Sequence, residues 1–95
     1  MSASRQLEFT ARAIRDIASI EAYIFSDNPR AATKVVATLY KAAEQLENNP
    51  TLGHVGRHSG TRELVLSRYP YTLVYRLTTN KIRILAVLHQ SRQYP

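Results

Sequence analysis

The sequence predicts an α+β domain of order β-α-α-β-β-β, in which a helix hairpin packs on a small antiparallel sheet. Apolar residues recur at helical spacing on both sides of Asn28-Pro29, which predicts two helices. Residues 61–92 hold three strand-like segments separated by two short breaks. A chain of 95 residues has the length of one domain. We therefore expect a single domain over residues 1–95.

The N-terminal half supplies one strand and the two helices. Residues 5–9 alternate polar and apolar side chains, which favours a short strand, and Thr10 is a suitable N-cap for the helix that follows. The first helix is predicted over residues 11–26, where Phe25 is expected to pack in the core. The second is predicted over residues 30–47, and the tight break between the two predicts an antiparallel hairpin.

The C-terminal half supplies the rest of the sheet. Residues 51–60 hold all three glycines and are predicted to form a loop. Strands are predicted over residues 61–67 and 71–77, and the last strand should be central because Leu85 and Val87 make both of its faces apolar. Strict alternation places four residues of this last strand on one side: Ile82, Ile84, Ala86 and Leu88.

The positive charge is confined to the second half of the chain. Residues 1–50 carry six basic and six acidic side chains. Residues 51–95 carry seven basic side chains against Glu63 alone, so the whole net charge of +6 lies there. This asymmetry predicts an acidic partner, either nucleic acid or an acidic protein segment. A solvated basic face would have the same composition, so charge alone leaves both interpretations open.

Composition also restricts the cellular setting and the chemistry. The chain has no cysteine, which excludes disulfides and thiolate metal sites and favours a reducing cytoplasm. No apolar run approaches the roughly 18 residues of a membrane helix, and the N-terminus lacks the apolar region of a signal peptide. His54 and His58 have the spacing of a metal-binding pair only on a helix, which the glycines around them disfavour. We expect no metal site, no cofactor and no membrane partner.

Two motifs of the C-terminal half carry a resemblance to known proteins. The first, R-x-P-Y-x-x-x-Y-R, runs from Arg68 to Arg76, and the second, A-V-x-H-x-x-R, runs from Ala86 to Arg92. With these motifs, the chain resembles the RelE/ParE superfamily of toxins from type II toxin–antitoxin systems. The resemblance spans nearly the whole chain and implies a bacterial, cytoplasmic toxin that inhibits growth. It also implies a cognate antitoxin, a small protein with a segment that folds on the toxin in a hetero-oligomer.

One position makes the resemblance closer to the ParE branch. Members resembling RelE cleave mRNA on the ribosome, and they usually have an arginine just before the L-V-Y of the middle strand. Thr72 occupies that position here, and it cannot stabilise charge on a scissile phosphate as a cation could. We therefore predict a ParE-like toxin that inhibits DNA gyrase without catalysis of its own. Two alternatives stay open: a RelE-like ribosome-dependent mRNA endonuclease, and a non-catalytic nucleic-acid-binding module.

These interpretations assign different roles to overlapping residues. A metal-independent nuclease site would use Glu63 or His89 as the base. Its phosphate-binding residues would be Arg62, Arg76 and Arg92. For a gyrase inhibitor, the expected target-binding residues are Arg57, Arg62, Arg68, Arg76, His89 and Arg92. The expected antitoxin contacts are Tyr23 and Tyr40, two aromatic residues on the helices.

Overall fold

The computed structural model describes residues 5–91 and confirms the α+β fold class, with two helices packed on a five-stranded sheet. None of the helices in this described part is long and apolar enough to cross a membrane. The elements in chain order are β1 (Gln6–Phe9), α1 (Ala11–Phe25), α2 (Pro29–Gln45), β2 (His54–Val55), β3 (Arg62–Val65), β4 (Tyr71–Leu77) and β5 (Lys81–His89).

Both helices begin where their capping residues predict. The Thr10 hydroxyl accepts a hydrogen bond from the Ala13 N–H at 3.2 Å, so one free N–H of the first turn of α1 is satisfied. The Asn28 side chain does the same for the Ala31 N–H at 3.1 Å, and a proline opens α2. The predicted helix hairpin is therefore confirmed.

The sheet differs from the predicted one in its pairing. The strand order is β1-β5-β4-β3-β2, and β1 lies parallel to β5, so the sheet is mixed and not purely antiparallel. A parallel neighbour needs a long connection, which the helices and the other strands supply between β1 and β5. Within the predicted loop, His54 and Val55 form a short edge strand against β3. The prediction that β5 lies inside the sheet is confirmed.

A β-bulge between β4 and β5 overturns the predicted facing of the last strand. Val74 pairs with Ala86 while Tyr75 pairs with Ile84, so Leu85 is an extra residue on β5. The extra residue reverses the alternation beyond it. Val87, and not Ala86, therefore shares the core face with Ile84, and the predicted set of four residues on one side is wrong.

The core lies between the helix hairpin and one face of the sheet. Its fully buried side chains include Leu39 from α2, with Leu73 and Tyr75 from β4. The prediction that Phe25 packs in the core is wrong, since its side chain is 57% exposed at the C-terminal end of α1. Its neighbour Ile24 packs against the core, and Phe25, one position further on and about 100° around the helix, is turned away from it.

Candidate functional site

The two faces of the sheet separate the predicted site residues. Paired residues on neighbouring strands point to the same side of a sheet. Arg62 pairs with Tyr75, and His89 pairs with Tyr71, so both point to the side that carries the helices, here called the helix face. We call the opposite side the far face. It carries Glu8 on β1, Glu63 on β3, Arg76 on β4 and Arg83 on β5.

Arg62 fastens the segment after α2 to the sheet. Its guanidinium donates to the Gly53 carbonyl from Nε at 3.0 Å and from an Nη at 2.7 Å, and it reaches the Thr51 carbonyl at 3.3 Å. The buried Tyr75 hydroxyl assists, since it accepts from the Gly53 N–H at 2.9 Å and donates to the Pro50 carbonyl at 2.9 Å. The cation of Arg62 is therefore engaged by backbone carbonyls of its own chain.

Glu63 is a buried carboxylate that holds the glycine-rich loop over the far face. Only 4% of the residue is exposed. One carboxylate oxygen accepts from the Arg57 N–H at 3.2 Å and lies 3.7 Å from the Arg57 guanidinium. His54 lies 3.9 Å from the other oxygen. Glu63 thus compensates its burial with an N–H donor and a cation, and Arg57 keeps an exposed side chain on the loop.

Arg76 and Arg83 face each other directly across β4 and β5 on the far face. Glu8 binds Arg83 Nε at 2.8 Å and Lys81 Nζ at 3.2 Å, each through a different carboxylate oxygen. These hydrogen bonds, that to Lys81 first, hold the pKa of Glu8 below its ordinary value of 4.5. The exposed Arg76 donates to the Gly60 carbonyl at 3.4 Å, a long hydrogen bond.

His89 lies at the end of β5 beside α1. Its ring meets Tyr71 edge-on, with centroids 5.4 Å apart. Its Nδ1 accepts from the Ser91 N–H at 3.1 Å and lies 2.7 Å from the Ser91 hydroxyl. With Asp16 and Tyr23 of α1, His89 lines a groove of about 580 Å³.

The remaining predicted target-binding residues lie apart from these. Arg68 is exposed in the turn between β3 and β4, where it lines a second groove with Lys41 of α2. Arg92 lies outside the described residues. The structure therefore brings Arg57 and Glu63 into contact and places Arg76 opposite Arg83 on the far face. His89 and Arg62 lie on the other side of the sheet. Within residues 5–91, no group of three or more His, Asp or Glu side chains is arranged to hold a metal ion.

The helices present the predicted antitoxin contacts to solvent. Tyr23 is 80% exposed on α1. Tyr40 is 36% exposed on α2, where its ring packs against Phe9 at 5.1 Å. Phe25 adds a third exposed ring near the helix turn. Tyr23 and Phe25 therefore leave most of their ring surface in solvent.

Sequence reasoning missed the contributions of Glu8 and Arg83 to the far face. Their side chains meet because β1 runs parallel to β5 and pairs Glu8 with Arg83. Alternation in residues 5–9 predicted the strand but not its partner. A search for opposite charges at matching positions of two predicted strands is the signal that would have suggested this pairing.

Comparison with known proteins identifies the family. A family model for the ParE toxin of type II toxin–antitoxin systems matches residues 7–94. Y4kP of Sinorhizobium fredii is 41% identical over 91 residues, which are 96% of this chain and 94% of Y4kP. Toxin RelE2 of Caulobacter vibrioides is 31% identical over 87 residues, which are 92% of this chain and 97% of RelE2.

A solved structure gives the same result. A chain of the chromosomal ParDE toxin–antitoxin system from P. aeruginosa superimposes with a TM-score of 0.84 at 25% identity. The match covers 93% of this chain and 98% of that one. The protein therefore belongs to the ParE toxin family of type II toxin–antitoxin systems, within the RelE/ParE superfamily.

Proposed function

We propose that this toxin inhibits DNA gyrase and that a cognate antitoxin neutralises it. The observation that carries the proposal is the match of the ParE family model to residues 7–94, together with the similarity to a ParDE system. Thr72 supports it, because this position lacks the cation that RNA cleavage would need at the scissile phosphate.

The scattered nuclease candidates support the same choice. A general base must lie within hydrogen-bond reach of the proton that it removes, near the cations that hold the phosphate. His89 lies on the helix face, whereas Glu63 and Arg76 lie on the far face. In addition, the lone pair of His89 Nδ1 is already engaged by Ser91, and Glu63 is buried against Arg57. Inhibition by surface contact requires no such convergence.

The test is a cleavage assay with purified gyrase, ATP and supercoiled plasmid. We expect the toxin to increase the fraction of plasmid trapped as protein-linked cleaved DNA. Arg57→Gln should reduce this fraction, because the Arg57 side chain is exposed on the loop over the far face. Arg15→Gln, on the exposed surface of α1, removes the same charge and is the control. If the wild-type toxin leaves gyrase turnover and cleavage unchanged, the gyrase proposal fails.

The antitoxin is expected to cover the helix hairpin. Tyr23, Tyr40 and Phe25 are exposed there, and aromatic anchors dominate the binding energy of many protein interfaces. The related P. aeruginosa protein is described as part of a toxin–antitoxin system. We expect co-expression with the small protein encoded beside this toxin to give a stable complex. Tyr23→Ala should weaken that complex, and separate elution of the two wild-type proteins would contradict the proposal.

An mRNA endonuclease is the second candidate. It is favoured by the 31% identity to RelE2 over nearly all of both chains. In a bacterial translation extract, such an activity would cut mRNA at codon-phased positions only while ribosomes translate it. Cuts of this kind without any effect on gyrase would replace the first proposal by the second. Glu63→Gln and His89→Gln would then show whether cleavage depends on the Glu63 carboxylate or on the His89 imidazole.

A further inference from the structure

We propose that the far face of the sheet binds the phosphates of duplex DNA directly through Arg76 and Arg83, with Lys81 beside them. We call these three residues the basic row. A toxin that contacts gyrase alone would need no DNA site, so this inference goes beyond the proposed function.

The first reason is an excess of positive charge at one place on the far face. Glu8 pairs with Lys81 and Arg83, and Arg76 lies across from Arg83, so three cations and one carboxylate leave a local charge of about +2 by subtraction. Elsewhere on this face, Arg57 is balanced by Glu63. On the far face, the excess charge is therefore concentrated at the basic row, which holds three of the seven cations of the C-terminal half.

The second reason is the pairing of Arg76 with Arg83. Like charges directly opposite each other on neighbouring strands are destabilising. Glu8 relieves Arg83 through a 2.8 Å hydrogen bond, whereas the hydrogen bond of Arg76 to the Gly60 carbonyl is 3.4 Å long and neutralises no charge. An oxyanion between the two guanidinium groups would remove this repulsion and accept hydrogen bonds from both.

The spacing of the row fits a repeated anion. Lys81 and Arg83 are two residues apart on β5, which separates their Cα atoms by about 7 Å on the same face. Arg76 lies opposite Arg83, so the three cations extend both along β5 and across to β4. Two or three successive phosphates of one strand can meet such a row, whereas a single small anion would use only one pair.

The far face also favours a duplex over a single strand. Proteins bind single-stranded nucleic acid by stacking its bases on aromatic side chains. The sheet tyrosines Tyr71 and Tyr75 both point to the helix face, as does Phe9. On the far face, the strand positions around the basic row within residues 5–91 carry Thr72, Val74 and Ala86, all buried. The exposed ring of His54, on the edge strand β2, lies on the same face but pairs with Glu63. A row of cations whose neighbouring strand positions carry small side chains suits the outside of a duplex, where only the backbone is contacted.

The test measures DNA binding in the absence of gyrase. The full-length toxin is titrated into a fluorescent 20-base-pair duplex of arbitrary sequence, and anisotropy is followed from low to moderate NaCl concentration. Arg76→Gln and Arg83→Gln should each weaken binding about fivefold at low salt, the effect of losing one charge contact in water. Each should also make the slope of log K against log salt shallower by about 0.9, as expected when one phosphate contact is lost.

The control is Arg15→Gln on α1, which removes the same charge from an exposed position on another surface. It should leave both the affinity and the salt slope close to those of the wild type. The proposal is overturned if the control weakens binding as much as Arg76→Gln does. It is also overturned if a single-stranded RNA of equal length binds more tightly than the duplex. Neither result depends on gyrase, so failure here leaves the gyrase assay to be judged separately.

Discussion

We predict that the hydroxyl group of Tyr75 contributes about 2 kcal/mol to the free energy of unfolding. The ring is completely buried, and the hydroxyl bridges the Gly53 N–H and the Pro50 carbonyl, each at 2.9 Å. Tyr75→Phe keeps the ring and removes both hydrogen bonds. A buried donor left without its partner costs about 1–3 kcal/mol. Gly53 is buried, whereas Pro50 is half-buried and water can reach its carbonyl. We therefore count the free-energy cost of one unsatisfied group, the Gly53 N–H.

Thermal unfolding and urea unfolding of the purified toxin both measure this loss of stability. For a domain of this length, a loss of 1 kcal/mol lowers Tm by about 4–8 °C. Tyr75→Phe should therefore lower Tm by about 8–16 °C, with an unchanged slope of the free energy of unfolding against urea concentration. Tyr23→Phe is the matched control, because its ring is 80% exposed, and it should stay within about 0.5 kcal/mol of the wild type. Equal stability of the two variants would refute the idea that Tyr75 fastens the segment after α2.

Two further predictions concern the same segment and the ion pairs of β1. Gly53→Ala should destabilise the fold by about 1–3 kcal/mol in urea unfolding, because the added Cβ would lie 2.7 Å from the Glu63 carbonyl oxygen. The control is Ser59→Ala in the exposed loop, and equal stability of the two variants would contradict this prediction. Glu8→Gln should destabilise the toxin at pH 7. Because the folded-state pKa of Glu8 is depressed by Lys81, this stabilisation is present above pH 4.5 and lost as pH falls through the lower folded-state pKa. Unfolding curves of Glu8→Gln and the wild type should therefore converge in acid; a constant difference would refute the assignment.

The helices were predictable because their signals are local. Thr10 and Asn28 cap the helices through hydrogen bonds to residues three positions later, and such short-range contacts can be inferred from neighbouring letters. The bulge at Leu85 was not predictable, since an extra residue on β5 is defined only by its register against β4. Once the alternation had been reversed there, every side chain beyond it was assigned to the wrong face.

The site residues were harder to predict for a related reason. Arginine side chains in the basic half of the sequence carry equal formal charges, so composition cannot distinguish a structural cation from an exposed one. The guanidinium of Arg62 donates hydrogen bonds to the carbonyls of Thr51 and Gly53, which only the folded chain brings near it. Glu63 appeared to be a lone acid in a basic segment, and its burial against Arg57 depends on the loop folding back over the far face.

The separation of the two faces has a consequence for how neutralisation and DNA contact can coexist. The exposed rings of Tyr23 and Tyr40 lie on the helix layer, whereas Arg76 and Arg83 lie on the far face of the sheet. An antitoxin that covers the helices alone would leave the basic row accessible to DNA. Under the proposed function, such an antitoxin would neutralise the toxin only if gyrase also contacts the helix layer, since Arg57 on the loop over the far face would stay accessible as well. An antitoxin whose acidic segment also reaches the far face would suppress both contacts, and the charge excess at Arg76 is the feature that would attract it.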